Sequence, residues 1–138
     1  MILGLDVSTS ITGATVVDKD GAVVYTTAWD TRNKRHFPTL MAKALWVEGR
    51  LIDIGKKYKI EEVYIEQSLQ SFRSGFSSAK TLSTLSRYNG IISWICFQVF
   101  HREPDYLAAT SARKACGISI PRGMKAKQVV LKFLLDNE

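Results

Sequence analysis

Short runs of apolar and β-branched residues, separated by turn-forming sequences, recur along the chain. This pattern predicts β-strands at residues 2–7, 12–18, 22–29, 61–67 and 105–110. The first three strands follow closely on one another, and Lys19-Asp20-Gly21, between the second and the third, is typical of a tight turn. The opening of the chain is therefore predicted to be a three-stranded antiparallel meander.

Apolar residues at steps of three and four predict helices between the later strands. The first helix follows Thr39, a good N-cap, and its apolar stripe is Leu40, Ala44, Val47, Leu51, Ile54 and Tyr58. A long helix is predicted over residues 79–100, and its main stripe is Leu82, Leu85, Ile92, Cys96 and Val99. An amphipathic helix at residues 125–135 closes the chain. The order β-β-β-α-β-α-β-α predicts one α/β domain over residues 1–138, with a mixed five-stranded sheet and helices on both faces.

Composition narrows the class of protein. The 138 residues are 46% hydrophobic, which suits a single globular core. We expect a cytoplasmic protein, from a cell or a phage, because no apolar run is long enough to span a membrane and Asp6 interrupts the N-terminus too early for a signal peptide. The 19 Lys and Arg against 13 Asp and Glu give a formal charge of +6. Such a surface favours nucleic acid, although a solvated basic face without a partner explains the charge equally well.

The two cysteines, Cys96 and Cys116, both lie in apolar surroundings. Neither belongs to a CxxC motif, and no histidine cluster accompanies them. We therefore expect two buried free thiols rather than a disulfide or a zinc site.

Two acidic residues end strands that are otherwise apolar. Asp6 follows the run ILGL, and Glu66 follows the run VYI. An ionised carboxylate in such a place is costly unless it is paired or bound to metal. Mg²⁺ uses one or two protein carboxylates and completes its shell with water and phosphate, so neighbouring strand ends would make a metal site. The spacing alone favours the simpler interpretation, in which each carboxylate caps its strand and faces solvent.

The Ser-rich segment at residues 68–78 follows Glu66 directly and contains Phe72, Arg73 and Phe76. A loop of this length usually has a function. Aromatic side chains in a loop can stack on bases or wedge between them at a distorted step. The alternative is that one or both phenylalanines pack on the long helix.

Several segments, in order, resemble the RuvC-type Holliday-junction resolvases over nearly the whole chain. The matching segments are ILGLD at residues 2–6, TG at 12–13, IEQ at 65–67, AKxL at 79–82, YxAA at 106–109, GI at 117–118 and MKAKQV at 124–129. Each segment is weakly specific, and the fourth-strand IEQ is the most telling. Their common order and spacing are fairly specific.

The resemblance implies a ribonuclease H-like fold and metal-dependent endonuclease activity on branched DNA. It implies that Asp6 and Glu66 bind Mg²⁺ or Mn²⁺, and that Lys125 or Lys127 lies near the scissile phosphate, with the choice between the two lysines open. Residues that would contact DNA are Phe72, Arg73, Phe76, Arg113, Lys114, Arg122, Lys125 and Lys127. Without the resemblance, these cations are ordinary surface residues.

The chain departs from the family pattern in two places. Val7-Ser8 stands where the family has Pro-Gly after the first aspartate. Family members also have further metal-binding aspartates on one more C-terminal helix, to which nothing here corresponds. We therefore expect a C-terminally truncated domain that folds and binds DNA but cuts it poorly; Asp136 and Glu138 are the weaker alternative as substitute ligands.

The expected function is that of a Holliday-junction resolvase. A four-way junction has two-fold symmetry, so a resolvase should be a homodimer. Candidates for its interface are Tyr88, Trp94 and Phe97, off the main stripe of the long helix, although they could equally pack under neighbouring helices. Two other classes remain open. One is a non-catalytic nucleic-acid-binding module on the same fold, and the other is a fragment of an actin-like ATPase or sugar kinase, although VSTSITG after Asp6 lacks the early glycine of a phosphate loop.

Overall fold

The computed structural model describes residues 1–67 and 79–108. In chain order these residues form β1 (Ile2–Asp6), β2 (Ile11–Val17), β3 (Val23–Asp30), α1 (Leu40–Lys57), β4 (Glu62–Gln67), α2 (Ala79–Phe100) and β5 (Asp105–Ala108). Every element predicted within these ranges is present, and its bounds differ by two residues at most. The predicted loop at residues 68–78 and the predicted helix at residues 125–135 lie outside the described residues.

The five strands form one mixed sheet in the order β3-β2-β1-β4-β5. The pairs β1–β2 and β2–β3 are antiparallel, whereas β1–β4 and β4–β5 are parallel. The predicted meander is confirmed, and so are the two parallel strands. The turn between β2 and β3 is closed by Asp18, whose carboxylate accepts hydrogen bonds from the N–H groups of Asp20 and Ala22. Gly21 follows with a positive φ of 86°, which glycine adopts without strain.

Both described helices pack on the same face of the sheet. Thr39 caps α1 as predicted, because its hydroxyl oxygen accepts a hydrogen bond from the N–H of Ala42 at 3.1 Å. The helices and the sheet share one hydrophobic core; from α1 it contains Ala44, Val47, Leu51 and Ile54, and from α2 it contains Tyr88, Ile92, Ile95, Cys96 and Phe100. Neither described helix has the length and apolar character needed to cross a bilayer.

The alternation of side chains across β1 separates two faces. Leu3 and Leu5 point into the core under the helices. Ile2 points the other way, where it forms a second small cluster with Val17 and Tyr64. Because side chains alternate along a strand, the even-numbered positions of β1 and β4 share this second face. We call it the carboxylate face, because Asp6 and Glu66 lie on it.

Cys96 is a buried free thiol, as predicted. Its side chain lies in the core between the sheet and α2, and burial raises the pKa of the thiol to about 12. The thiol is therefore protonated at neutral pH and is a poor nucleophile. Cys116 lies outside the described residues.

Of the two positions that the sequence leaves open for Tyr88, the structure selects the buried one. Tyr88 is completely buried in the core, whereas Trp94 and Phe97 are exposed on α2. Because α2 is apolar on more than one side, its sequence allows more than one buried stripe. Packing against α1 and the sheet selected the stripe that contains Tyr88, Ile92 and Cys96.

Replacing Tyr88 by phenylalanine is expected to stabilise the fold. Within the described residues the buried hydroxyl of Tyr88 has no hydrogen-bond partner, so its removal should raise the free energy of unfolding by about 1 kcal/mol at neutral pH. Burial raises the pKa of Tyr88 from 10.0 to about 12. The unfolded chain therefore ionises first, and the stability present below pH 10.0 is lost as the pH rises towards about 12.

Urea unfolding at neutral pH and at several alkaline pH values measures both effects. The Tyr88→Phe variant should be more stable than the wild type at neutral pH and should lose less stability above pH 10.0. Lower stability at neutral pH would show that the hydroxyl has a favourable partner in solution.

Candidate functional site

Asp6 and Glu66 lie side by side at one end of the sheet. β1 and β4 are parallel neighbours, and their register pairs Asp6 with Glu66. Adjacent strands are about 4.8 Å apart, and paired positions point to the same face. The two carboxylates are therefore neighbours on the carboxylate face, at the carboxyl ends of both strands.

The two carboxylates differ in exposure. Glu66 is only 1% exposed, and both of its carboxylate oxygens are shielded from solvent, whereas Asp6 is partly exposed. Gly13 lies opposite Asp6 on β2, so no side chain covers Asp6 from that position. A Cβ atom built on Gly13 would meet Asp6 Cβ at 3.8 Å, an ordinary contact, so the glycine leaves room beside the aspartate. The site thus has a buried acid and an accessible acid.

This pair fits the donor chemistry of Mg²⁺ or Mn²⁺. Two adjacent carboxylates supply hard oxygen ligands, and Mg²⁺ commonly takes only one or two from a protein. Across residues 1–67 and 79–108 there is no cluster of three or more His, Cys, Asp or Glu residues that could enclose a metal. Within the described residues, the candidate ligands for such an ion are therefore Asp6 and Glu66.

The loop between β1 and β2 follows Asp6 directly and is stabilised by Ser8. The Ser8 hydroxyl oxygen accepts hydrogen bonds from the N–H groups of Ser10 and Ile11 at 3.2 and 3.0 Å, and the hydroxyl donates to the Ile11 carbonyl at 2.7 Å. The hydroxyl of Thr12, completely buried, donates to the Ser8 carbonyl. Ser8 therefore shapes this turn through its side chain.

Two residues distant in sequence brace the same loop. Thr31, at the end of β3, donates its N–H to the Ser10 carbonyl at 2.8 Å, and its hydroxyl lies 3.2 Å from the Thr9 carbonyl. The ammonium group of Lys43, on α1, donates a hydrogen bond to the Thr9 carbonyl. These bonds hold the backbone of the loop that follows Asp6, one from the segment after β3 and one from α1.

Neither Thr31 nor Lys43 was among the site residues predicted from the sequence. The position of Lys43 could have indicated a partner, because Lys43 lies at helical spacing between Leu40 and Val47, on the side of α1 that faces the core. A lysine in an apolar stripe usually has a specific partner. Nothing in the sequence distinguishes Thr31, since threonine is common in loops.

Tyr64 lies on the carboxylate face, two residues before Glu66. Burial, and then the nearby charge of Glu62, raise the pKa of Tyr64 to about 12. Its hydroxyl donates to Glu62 Oε1 at 3.2 Å. Tyr64 is therefore uncharged at neutral pH, and it lies next to the acidic pair on the carboxylate face.

The remaining site residues predicted from the sequence lie outside the described residues. They are Phe72, Arg73, Phe76, Arg113, Lys114, Arg122, Lys125 and Lys127. Their roles stay predictions. Of the predicted set, the structure describes Asp6 and Glu66, and it brings those two together.

The chain is similar to known proteins in structure but not in sequence. No protein-family model matches it, and no curated protein sequence matches it. A solved structure of Thermus thermophilus RuvC in complex with a Holliday junction substrate superposes with a TM-score of 0.64 at 11% identity, covering 97% of this chain and 90% of that one. The chain has the RuvC fold. A second Thermus thermophilus RuvC structure gives a TM-score of 0.55 at 12% identity with the same coverage.

The ribonuclease H-like fold expected from the resemblance is thereby confirmed. The mixed sheet, with its three-stranded meander and two parallel strands, is the architecture of these RuvC structures. Sequence identity of 11–12% is evidence about the fold and not about individual side chains.

Proposed function

We propose that this protein is a metal-dependent endonuclease that hydrolyses phosphodiester bonds in branched DNA, in the manner of a Holliday-junction resolvase. The observation that carries the proposal is the in-register pair of Asp6 and Glu66 at the carboxyl ends of two adjacent parallel strands. The RuvC fold and the formal charge of +6 support it. The protein would act on DNA in the cytoplasm of a cell or of a phage-infected host.

Asp6 and Glu66 would hold Mg²⁺ or Mn²⁺ between them. Such an ion activates water for attack on phosphorus and stabilises the leaving oxygen. Glu66, shielded from solvent, would bind from the buried side, whereas Asp6 lies on the accessible side where a phosphate can approach. Ser8, Thr31 and Lys43 fix the loop after Asp6, which keeps its carboxylate oriented before substrate arrives.

Residues beyond the described ranges complete the proposal. Lys125 or Lys127 would lie near the scissile phosphate, and Arg113, Lys114 and Arg122 would make further phosphate contacts. Phe72, Arg73 and Phe76 would engage the branch point from the loop after Glu66. These contacts would hold the substrate by its backbone and shape rather than by its base sequence.

A homodimer would match the two-fold symmetry of a four-way junction. Trp94 and Phe97 are 58% and 42% exposed on α2, and their rings stack with centroids 6.0 Å apart. Tyr106 on β5 is also exposed and contributes to the same groove. An exposed aromatic patch of this kind suits a subunit interface.

The actin-like ATPase alternative loses support from the loop after Asp6. A phosphate-binding loop needs backbone N–H groups that are free to point at the nucleotide. Here the N–H groups of Ser10 and Ile11 already donate to the Ser8 hydroxyl. Nucleotide binding at this loop would require breaking both bonds.

Binding and cleavage of a labelled four-way junction test the proposal, with linear duplex of equal length as competitor at fixed salt. We expect tighter binding to the junction, and metal-dependent cutting that is lost in both Asp6→Asn and Glu66→Gln. Cutting should need Mg²⁺ or Mn²⁺ and should stop in EDTA, because both carboxylates act through the ion.

Each result has a defined meaning. Cutting that survives both substitutions would exclude the carboxylate pair as the active site. Junction-selective binding without cutting, in any metal, would favour the non-catalytic binding module. Equal affinity for junction and duplex would remove the resolvase assignment.

A further inference from the structure

The segment between β3 and α1 forms a basic turn at the same end of the sheet as Asp6 and Glu66. β3 runs antiparallel to β2, and its last residue, Asp30, pairs with Ile11 at the start of β2. The carboxyl end of β3 therefore lies at the end of the sheet where β1 and β4 also terminate. Since Thr31 is hydrogen-bonded to the loop that follows Asp6, the two segments are in direct contact.

Charge along this segment is of one sign. Residues 31–47 contain Arg32, Lys34, Arg35 and Lys43 and no Asp or Glu. Arg32 is engaged by Asp30, with Nη2 2.6 Å from Oδ2 and Nε 3.0 Å from Oδ1, and Lys43 is engaged by the Thr9 carbonyl. The ion pairs Arg32–Asp30 and Arg50–Asp53 do not involve Lys34 or Arg35. These two cations are exposed at the tip of the turn.

Local bonds give the turn a defined shape. The Asn33 side-chain oxygen accepts hydrogen bonds from the N–H groups of Arg35 and His36 at 2.9 and 3.4 Å, and the Asn33 carbonyl accepts one from the N–H of Phe37. Phe37 packs edge-on against Trp46 of α1, with ring centroids 5.8 Å apart. Because the backbone is fixed on both sides, little of its entropy remains to be lost when Lys34 and Arg35 meet a partner.

We propose that Lys34 and Arg35 bind the phosphodiester backbone of a duplex arm of DNA that leads away from the site at Asp6 and Glu66. This inference rests on the proposed DNA-directed function and assigns it a second contact region. In the strand order β3-β2-β1-β4-β5, the end of β3, from which the turn starts, lies two strands, or about 10 Å, to the side of β1 and Asp6. That distance is well under one helical turn of duplex, about 34 Å, so one arm can reach the carboxylates and the turn together.

The basic turn lies on the β3 side of the acidic pair, because β3 and β4 are on opposite sides of β1 in the sheet. Cations on the β3 side would attract the arm that the acidic pair, before it binds metal, repels. The contact is to phosphate, so we expect no dependence on base sequence.

The test compares two double variants that remove equal charge from opposite ends of the sheet. Lys34→Ala/Arg35→Ala removes the proposed contact. Lys19→Ala/Lys59→Ala is the matched control, because Lys19 lies in the turn between β2 and β3 and Lys59 precedes β4, both at the far end of the sheet and both exposed. Each variant lowers the formal charge by two from +6. Affinity for a labelled four-way junction is measured in EDTA, so that no cutting occurs, at several salt concentrations.

We expect the Lys34/Arg35 variant to bind about tenfold or more weakly than the wild type at moderate salt, and the slope of log affinity against log salt to shrink by about 2. The Lys19/Lys59 control should bind within about twofold of the wild type. Thermal unfolding of both variants should match the wild type, because all four side chains are exposed.

Three results would overturn the inference. Equal weakening in both double variants would mean that total charge matters rather than this turn. Wild-type affinity and salt slope in the Lys34/Arg35 variant, with junction binding intact, would remove the turn and leave the proposed function standing. Absence of DNA binding by the wild type would overturn both proposals together.

Discussion

Mg²⁺ or Mn²⁺ is expected to raise the unfolding temperature of the wild-type chain and to leave that of a Glu66→Gln variant nearly unchanged. A ligand that binds only the folded state adds about 2.7 kcal/mol of stability at a hundred times its dissociation constant. For a domain of this size, that corresponds to roughly 8–10 °C in the unfolding temperature. The ion should stabilise the fold because its two carboxylates come from strands brought together only by folding.

The glutamine variant should lose this effect because it has one anionic ligand instead of two. Glu66 is the buried member of the pair, so its carboxylate has a fixed position, and glutamine keeps the shape without the charge. We expect metal affinity to fall at least 10- to 100-fold. In EDTA the variant should unfold at the same temperature as the wild type or higher, since one of two adjacent like charges has been removed.

Glu62→Gln is the matched control for this experiment. Glu62 lies on the same strand and the same face as Glu66 but at the opposite end of β4, and it is exposed. The Glu62→Gln substitution removes the same charge, and the metal should raise the unfolding temperature of this variant as much as that of the wild type. A metal response that survives Glu66→Gln, or one lost equally in Glu62→Gln, would show that the ion binds elsewhere.

Leu51→Ala is expected to destabilise the fold by about 2–5 kcal/mol. Leu51 is completely buried where α1 meets the sheet, in the core that also contains Leu5 of β1. Its truncation removes apolar contacts and leaves a cavity that the surrounding core fills only in part. The unfolding temperature should fall by roughly 7–15 °C, measured by circular dichroism.

Leu45→Ala makes the same chemical change on the same helix, where the side chain is 69% exposed. We expect a change in stability within about 0.5 kcal/mol. Comparable losses for the two variants would mean that Leu45 is covered in solution, by a second copy of the chain or by another partner.

Much of the local structure could be predicted from the pattern of side chains. Alternation and β-branching located the strands, and the three-and-four spacing located α1 with Thr39 as its cap. These signals are reliable because they arise between residues close in sequence, where backbone geometry alone decides which side chains share a face. The buried stripe on α2 was less secure, and the position of Tyr88 stayed open, because that helix has apolar residues on several sides.

The candidate site follows partly from the sequence and partly from the tertiary structure. The sequence identified Asp6 and Glu66 as acids at the ends of apolar strands, and nothing in their spacing required them to meet. Sixty residues separate them, and only the parallel pairing of β1 with β4 brings them into register. A shift of one residue in that register would turn one carboxylate to the opposite face.

The sequence by itself determined the elements, their order, the buried stripe of α1, and the two acids on which the proposed chemistry rests. Tertiary structure alone decided that β1 lies between β2 and β4, that Thr31 and Lys43 brace the loop after Asp6, and that Lys34 and Arg35 lie at the same edge as the acids. The physical reason is the range of the interactions. Periodicity and capping act over a few residues, whereas strand pairing and packing join residues that are far apart in the chain, and the local sequence does not specify which of them meet.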